Sequence, residues 1–498
     1  LRAGITVYRV CLGDYLRGVV DGNEVIMFAR IMQWIREVVQ KMLKPDSLKS
    51  SLKVDVAVSP LMVDALQSWS LMYTNQSSWL NDRTQSLNLP AAIAAEVAKS
   101  VTVEMDMQVT GSPRADFLLA QLAPVLKNIR VNTEYATAKG GLVLKPYINA
   151  DGLAIDSVQA DMFYPVSFDS NRKMTACVFA DQKTRGRDFF TRLEYHSLTG
   201  TTYQIVNTVW RSSTRDTLGS QITLTASPFP EWQELQPEAF ITNVERPLFG
   251  YFAMPFANSI DTTSPLGVSI YARAIDQIKR ADEIWSGLLW EMESAERALY
   301  TDPLAFGKTT DGKPILPHKR LYRTLDLQGA IDKQGLFEDW TPTIREQNYI
   351  NALDAVLKKV EFNCGLSYGI LSDPKSVALT ATEIRNSKQT YYANVVDIQK
   401  SLEDALEDLL YAMDVWTTLG NLAPRGVYTA TYNFDDSIVA DDATQYQQDS
   451  QTVTINAMPK YVFLMRNYNL DEATAKQWVA DAQAETPAPS FFPGDLNV

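Results

Sequence analysis

Long amphipathic helices arranged around a short insert constrain this chain more than any other feature. Ile275, Ile278, Ala281, Trp285, Leu288, Met292, Ala295 and Leu299 recur at steps of three and four, the repeat of one helix face. Ser264-Pro265 offers a cap and a first-turn proline. The spacing therefore predicts a helix over about 265–300, roughly 50 Å long. The Gly-, Pro- and Lys-rich stretch Asp302–Pro342 follows and reads as a small β insert. A second helix is expected over about 343–365 and a third over about 380–419. The third carries Tyr391, Val395, Ile398, Leu402, Leu406, Leu409, Met413 and Trp416 on one stripe and would be roughly 60 Å long. Helices that leave and return around an insert suit a subunit repeated about an axis.

Ahead of this region the chain reads as α+β, helix-rich first and then an antiparallel sheet. Val25, Ala29, Met32, Ile35, Val39 and Met42 mark an amphipathic helix ending before Pro45. Further helices are expected over about 60–79, 89–99 and 113–137, with a strand at Val101–Val109. Gly140-Gly141 then switches the period, and strands dominate from Leu142 to Ser227. After Gly420 the pattern gives a strand over 427–434, a polar helix over 441–457 and a last helix opened by Asn469 and Asp471.

Composition removes several function classes. The net charge is −13, whereas tight nucleic-acid binders carry basic faces that neutralise phosphates. Any contact with DNA should therefore be loose. Cys11, Cys177 and Cys364 are too far apart for a disulfide framework or a CxxC zinc site, and read as buried thiols. Only His196 and His318 are available for histidine chemistry. No apolar run reaches the roughly 18 residues that cross a bilayer. Asp14 and Arg17 stand where a signal peptide needs its apolar core, so no secretion signal is expected.

The sharpest enzymatic lure fails on chemistry. Asp302–Thr309 has Gly307, Lys308 and Thr309 where a phosphate-binding P-loop needs them. Asp302 replaces the first glycine and puts a negative charge beside the phosphate, and Pro303 removes a donor. Asp435-Asp436 and Asp441-Asp442 read as turn or cap residues rather than metal ligands. No catalytic residue, cofactor or metal site is expected, and the chain is read as a non-enzyme. Three features stay open between bland and functional readings. The insert carries Lys308, Lys313, His318, Lys319, Arg320, Arg323 and Lys333, which form either a solvated module or a docking surface. The loop 369–382 is either a connector or a projection into a channel. The third helix shows Asp397, Glu403, Asp404, Glu407, Asp408 and Asp414 against Lys400, either a solvated face or one turned to a polyanion.

Several stretches carry a family likeness: Tyr164–Asp181, Thr191–Trp210, Arg246–Asp282 with SPLGVSIY, Ala378–Tyr392 with TATEI, and Phe434–Asp449. Together they resemble the portal proteins of long-tailed bacteriophages infecting Gram-positive hosts. The resemblance implies an α/β wing over residues 1–260, a stem helix over 261–301 and a clip over 302–342. A second stem helix over 343–369, a tunnel loop over 370–382, a channel-to-wing helix over 383–425 and a crown over 426–498 would complete it. It also implies a ring of twelve subunits at one capsid vertex, passing double-stranded DNA at packaging and ejection. Its partners would be the terminase large subunit, head–tail connector proteins, and the major capsid and scaffolding proteins, in the virion and in the host cytoplasm during assembly, with no membrane. Implied site residues are Ser372, Asp373, Pro374, Lys375 and Ser376 in the tunnel loop. The basic residues of the insert would serve docking, and Trp285, Leu288, Met292 and Leu299 stem packing. A helical tail or baseplate protein is the competing reading, with an acidic hydrolase third.

Overall fold

The computed structural model describes residues 51–149, 152–215, 217–295, 298–301, 322–324, 337–340, 343–373, 381–434, 442–468 and 470–484. The helix expected before Pro45 lies outside them. The chain divides into two compact units, the first running to Thr431 apart from residues 104–106, which join the C-terminal unit.

In the first unit, helices α1 (Pro60–Tyr73), α2 (Leu89–Thr102), α3 (Pro113–Lys127) and α4 (Ile129–Lys139) precede the sheets. Strand β1 (Met105–Thr110) follows α2. Helix α1 stops at Tyr73, short of the expected Trp79, because Asn75 takes a left-handed conformation. The single helix expected over 113–137 is two. Pro124 lies in the last turns of α3 and cannot donate to the preceding turn. Asn128 leaves helical geometry there, and its amide donates to the Pro124 carbonyl at 3.0 Å.

The described strands between Gly141 and Ala253 form two sheets. Strands β2 (Gly141–Asn149) and β3 (Gly152–Gln159) pair with β10 (Gly250–Ala253) in the order β10-β2-β3. Strands β4 (Phe163–Phe168), β5 (Met174–Arg185), β6 (Asp188–Thr199), β7 (Thr202–Ser212) and β8 (Ser220–Ile222) form an antiparallel meander, with β9 (Glu238–Thr242) also on β7. The expected strand over 221–226 ends at Ile222 in a short 3-10 turn. Leu142, Val143, Leu144, Cys177, Val178, Leu193, Tyr203 and Val209 on these strands are buried, from both faces where they are consecutive.

Helix α5 begins at Ile275 and ends at Ser294, so the helix expected over 265–300 is cut at both ends. Residues Ser264–Tyr271 instead thread through the core, with Leu266, Val268, Ile270 and Tyr271 buried. The Ile270 N–H donates to the Thr137 carbonyl at 3.1 Å, and the Tyr271 hydroxyl to the Trp69 carbonyl at 3.0 Å. Gly267 and the β-branched pair disfavour helix, and burial on all sides suits an extended path. At the other end, Ala298–Thr301 is strand β11, parallel to β12 (Tyr322–Thr324) and antiparallel to β13 (Phe337–Trp340).

Helices α6 (Glu346–Cys364) and α7 (Ala381–Leu419) follow, then strand β14 (Thr429–Phe434), which pairs with β1. Helix α7 is unbroken over 39 residues. Of its expected stripe, Val395, Ile398, Leu402, Leu406, Leu409 and Met413 are buried, while Tyr391 and Trp416 are half-buried. Each buried side chain contributes about 2 kcal/mol. The C-terminal unit holds α8 (Asp442–Thr454), α9 (Lys460–Tyr468) and α10 (Glu472–Ala484). Asp471 caps α10 by accepting the Thr474 N–H at 3.1 Å.

Candidate functional site

The helical hairpin α5/α6 is built by polar pins at both ends. The Arg345 guanidinium makes a two-pronged bond to Glu291, at 2.9 and 2.8 Å, the strong geometry for this pair. The Tyr349 ring lies against the Gly287 backbone, and Asn363 donates to Gln277 at 3.1 Å. The base of α5 is locked to the segment before α2. Asp282 accepts the Leu87 N–H at 2.8 Å and the Trp79 indole N–H at 2.9 Å, and Ser286 accepts the Gln85 N–H at 2.7 Å. Burial pushes the Asp282 carboxyl above its ordinary pKa, and these donors pull it back.

Of the four expected stem-packing residues, Leu288 is buried inside the hairpin and Trp285 is half-buried, but Met292 is exposed. Leu299 falls on β11, not on the helix. Trp290 and Phe362 are more than 60% exposed, at 63% and 65%, with Ile350 and Tyr368 exposed as well.

The acidic face of α7 is divided: Asp397, Asp404 and Glu407 are exposed, whereas Asp408 and Asp414 are half-buried and paired within the subunit. Arg246 reaches Glu407 at 3.1 Å and Asp408 at 3.2 Å, and Lys173 reaches Asp408 at 3.3 Å. Arg114 is 1% exposed. Its Nη2 donates to Thr418 at 2.6 Å, and its Nε lies 3.1 Å from Asp414, as an ion pair rather than an aligned hydrogen bond. Glu403/Glu407 and Asp404/Asp408, like charges four residues apart, repel one another, and Arg246 and Lys173, from the approach to β10 and the β4–β5 turn, offset that cost.

Of the expected loop residues, Ser372 is buried and Asp373 is tied by its N–H to Asp354 at 2.9 Å. Pro374, Lys375 and Ser376 lie outside the described residues. So do Lys308, Lys313, His318, Lys319 and Arg320, while Arg323 stands on β12. Cys177 and Cys364 are buried free thiols, both pushed up by burial.

A buried charged cluster on β2 and β6 escaped the sequence reading. Glu194 Oε2 lies 2.6 Å from the Lys145 ammonium and 3.2 Å from Arg192, and Glu194 Oε1 lies 2.8 Å from His196 Nε2. His196 Nδ1 lies 2.8 Å from the Tyr203 hydroxyl. These partners fix one neutral tautomer, with Nε2–H donating to the carboxylate and Nδ1 accepting from Tyr203. Burial holds the His196 pKa below its ordinary value despite the Glu194 partner. The unfolded chain therefore binds a proton at His196 more readily than the folded one, and stability falls as pH drops through about 6.5. Burial alone would raise the Glu194 pKa, but Lys145, His196 and Arg192 hold it well below the usual carboxylate range. Its contribution persists until far lower pH. Melting curves from pH 8 to pH 5 should show a decline that His196→Gln flattens. An equal decline in both proteins would remove His196 from that role.

A cavity of about 440 Å³ lies between α1, β4 and Leu266–Gly267. Its lining is largely apolar, and its Lys139–Asp161 ion pair closes on itself at 2.6 Å. Among the described residues no three His, Cys, Asp or Glu side chains converge as a metal site would require, and no helix is long and apolar enough to cross a membrane.

The family model described as phage portal protein, SPP1 Gp6-like, matches residues 125–488, well over half of the chain. The chain belongs to the phage portal protein family. Portal proteins are structural rather than enzymatic, form homo-oligomeric rings that DNA passes through at packaging, and sit in the virion capsid. No curated protein matches this portal chain. The match takes in both sheets, the hairpin, α7 and the C-terminal unit.

Proposed function

We propose that the chain is one subunit of a twelvefold portal ring at a single capsid vertex. Double-stranded DNA enters through its bore at packaging and leaves through it at ejection. The family match over residues 125–488 carries this reading. Residues up to about 260 form the wing, α5 and α6 the stem, and residues 302–342 the clip between them. Residues 370–382 form the tunnel loop, α7 crosses from channel to wing, and residues from 426 onward form the crown. The basic residues Lys308, Lys313, His318, Lys319, Arg320 and Arg323 dock the terminase large subunit during loading and head–tail connector proteins afterwards. The ring also nucleates procapsid assembly with scaffolding and major capsid proteins.

Two physical observations favour it. The exposed Trp290, Ile350 and Phe362 on the hairpin give neighbouring stems an apolar face to bury. A net charge of −13 per subunit, repeated around a ring, keeps adhesion to phosphate low, because affinity grows with the number of phosphates neutralised. End-on images of the purified protein are expected to show closed rings with an open bore. Monomers alone across a concentration series would overturn the proposal.

A further inference from the structure

Glu361 sits in the last turn of α6, where the helix dipole disfavours a negative charge. Its side chain is nonetheless fully buried, and among the described residues no lysine or arginine pairs with it. A set of donors replaces the cation. Oε1 accepts the backbone N–H groups of Leu371 at 2.6 Å, Ser372 at 2.9 Å and Gly369 at 3.1 Å. Oε2 accepts the Ser372 hydroxyl at 2.8 Å. Converging amides of this kind make an anion nest, here occupied by the protein's own carboxylate. Gly369 at φ +89° turns the backbone so that these amides point inward.

The same short segment is held at two further points. The Asp373 N–H donates to Asp354, almost two turns back along α6, at 2.9 Å. Asn394 of α7 donates to the Gly365 carbonyl at 3.0 Å. Residues Gly365–Asp373 are thus fastened along the side and end of α6, with Glu361 supplying most of the bonds.

We propose that Glu361 is a positioning residue that makes Gly365–Asp373 one rigid body with α6. Any displacement of Gly365–Asp373 is then shared by α6. Resting on the portal reading, this fixes where the DNA-facing loop leaves the stem in every subunit, so that a push on the loop is felt by the stem. Buried Ser372 belongs to the anchored base of that loop and not to its tip.

Hydrogen exchange on the full-length protein tests the anchor in whatever assembly state it adopts. In Glu361→Ala the amides of Gly369, Leu371 and Ser372 should exchange about 100-fold faster, while those of Tyr349–Lys358 keep their rates. Glu361→Gln retains one acceptor oxygen and should fall between. Heads assembled with Glu361→Ala should contain normal numbers of portal rings but about tenfold fewer should be DNA-filled, with partial recovery in Glu361→Gln. Unchanged exchange at the three amides overturns the anchor. Acceleration along all of α6 also overturns it, because Glu361 would then merely stabilise the helix. Faster exchange at the three amides with normal DNA filling overturns the coupling to DNA. Failure of the portal reading itself is separate, since it would show as wild-type protein without rings.

Discussion

Lys145→Met is expected to lower the unfolding free energy of the first unit by about 4 kcal/mol, the scale seen when one partner of a buried ion pair is removed. The Lys145 side chain is 5% exposed and that of Glu194 12%, so water cannot replace the lost ammonium. Methionine matches the lysine stem in length, which leaves the charge as the difference between the two proteins. The remaining partners compensate only in part. Arg192 is 3.2 Å from the same oxygen, and His196 is held neutral by burial. The ammonium also lies 5.0 Å above the Phe179 ring, a further attraction that methionine keeps only as dispersion. Adding Glu194→Gln to Lys145→Met should recover part of the loss, because the buried carboxylate is gone and Arg192, 15% exposed, keeps a neutral amide oxygen to bond. Thermal unfolding at pH 7.5 followed by tryptophan fluorescence measures both. A single variant within about 1 kcal/mol of wild type, or a double variant no better than the single, would show that the pair does not hold the sheets together.

This cluster also shows where sequence reading stops. In strand β2 the run GLVLKPYI looks like an apolar strand with one solvated lysine. Nothing in that run says that the facing position on β6 is a glutamate, because the β2 and β6 residues are 49 apart in the chain and meet only through sheet packing. The long helices were legible for the opposite reason. In α7 the apolar step repeats from Tyr391 to Trp416, about seven turns, and local periodicity suffices. The ends of α5 were misread because Ser264-Pro265 is a sound cap signal, but tertiary burial of Leu266, Val268 and Ile270 overrides it. Sequence showed the acids of α7 but not Arg114, Lys173 and Arg246, which come from three distant segments. Its acidity therefore read as one uniform face, whereas Asp408 and Asp414 are paired within the subunit. The Glu361 nest was hidden in the same way, since its donors are mostly backbone groups that no residue type announces.

Gly250→Val is expected to be the most damaging single substitution at the sheet–helix contact. A side-chain carbon built at Gly250 runs into the Ala405 carbonyl oxygen of α7 and lies 3.1 Å from the Ala405 carbonyl carbon and 3.2 Å from the Leu409 nitrogen. All three are backbone atoms in the middle of a helix, so no rotamer change relieves the overlap. Either β10 leaves its ladder with Leu142–Leu144 or α7 lifts away. Lifting uncovers Leu402, Leu406 and Leu409, each fully buried and each contributing about 2 kcal/mol. A loss of at least about 4 kcal/mol follows even with partial relaxation. Gly186→Ala is the matched control, since its added carbon meets nothing within 4 Å and only its φ of +66° opposes the change, at about 1 kcal/mol. Both substitutions remove a glycine from the unfolded chain, and the φ cost falls on the control alone, so an excess loss in Gly250→Val reports the contact with α7. Limited proteolysis should then cut within 381–419 in Gly250→Val but not in Gly186→Ala. If Gly250→Val melted within about 5 °C of wild type with α7 still protected, the helix would not be held by this close backbone approach. Its Arg114, Lys173 and Arg246 ion pairs would then have to carry the attachment alone.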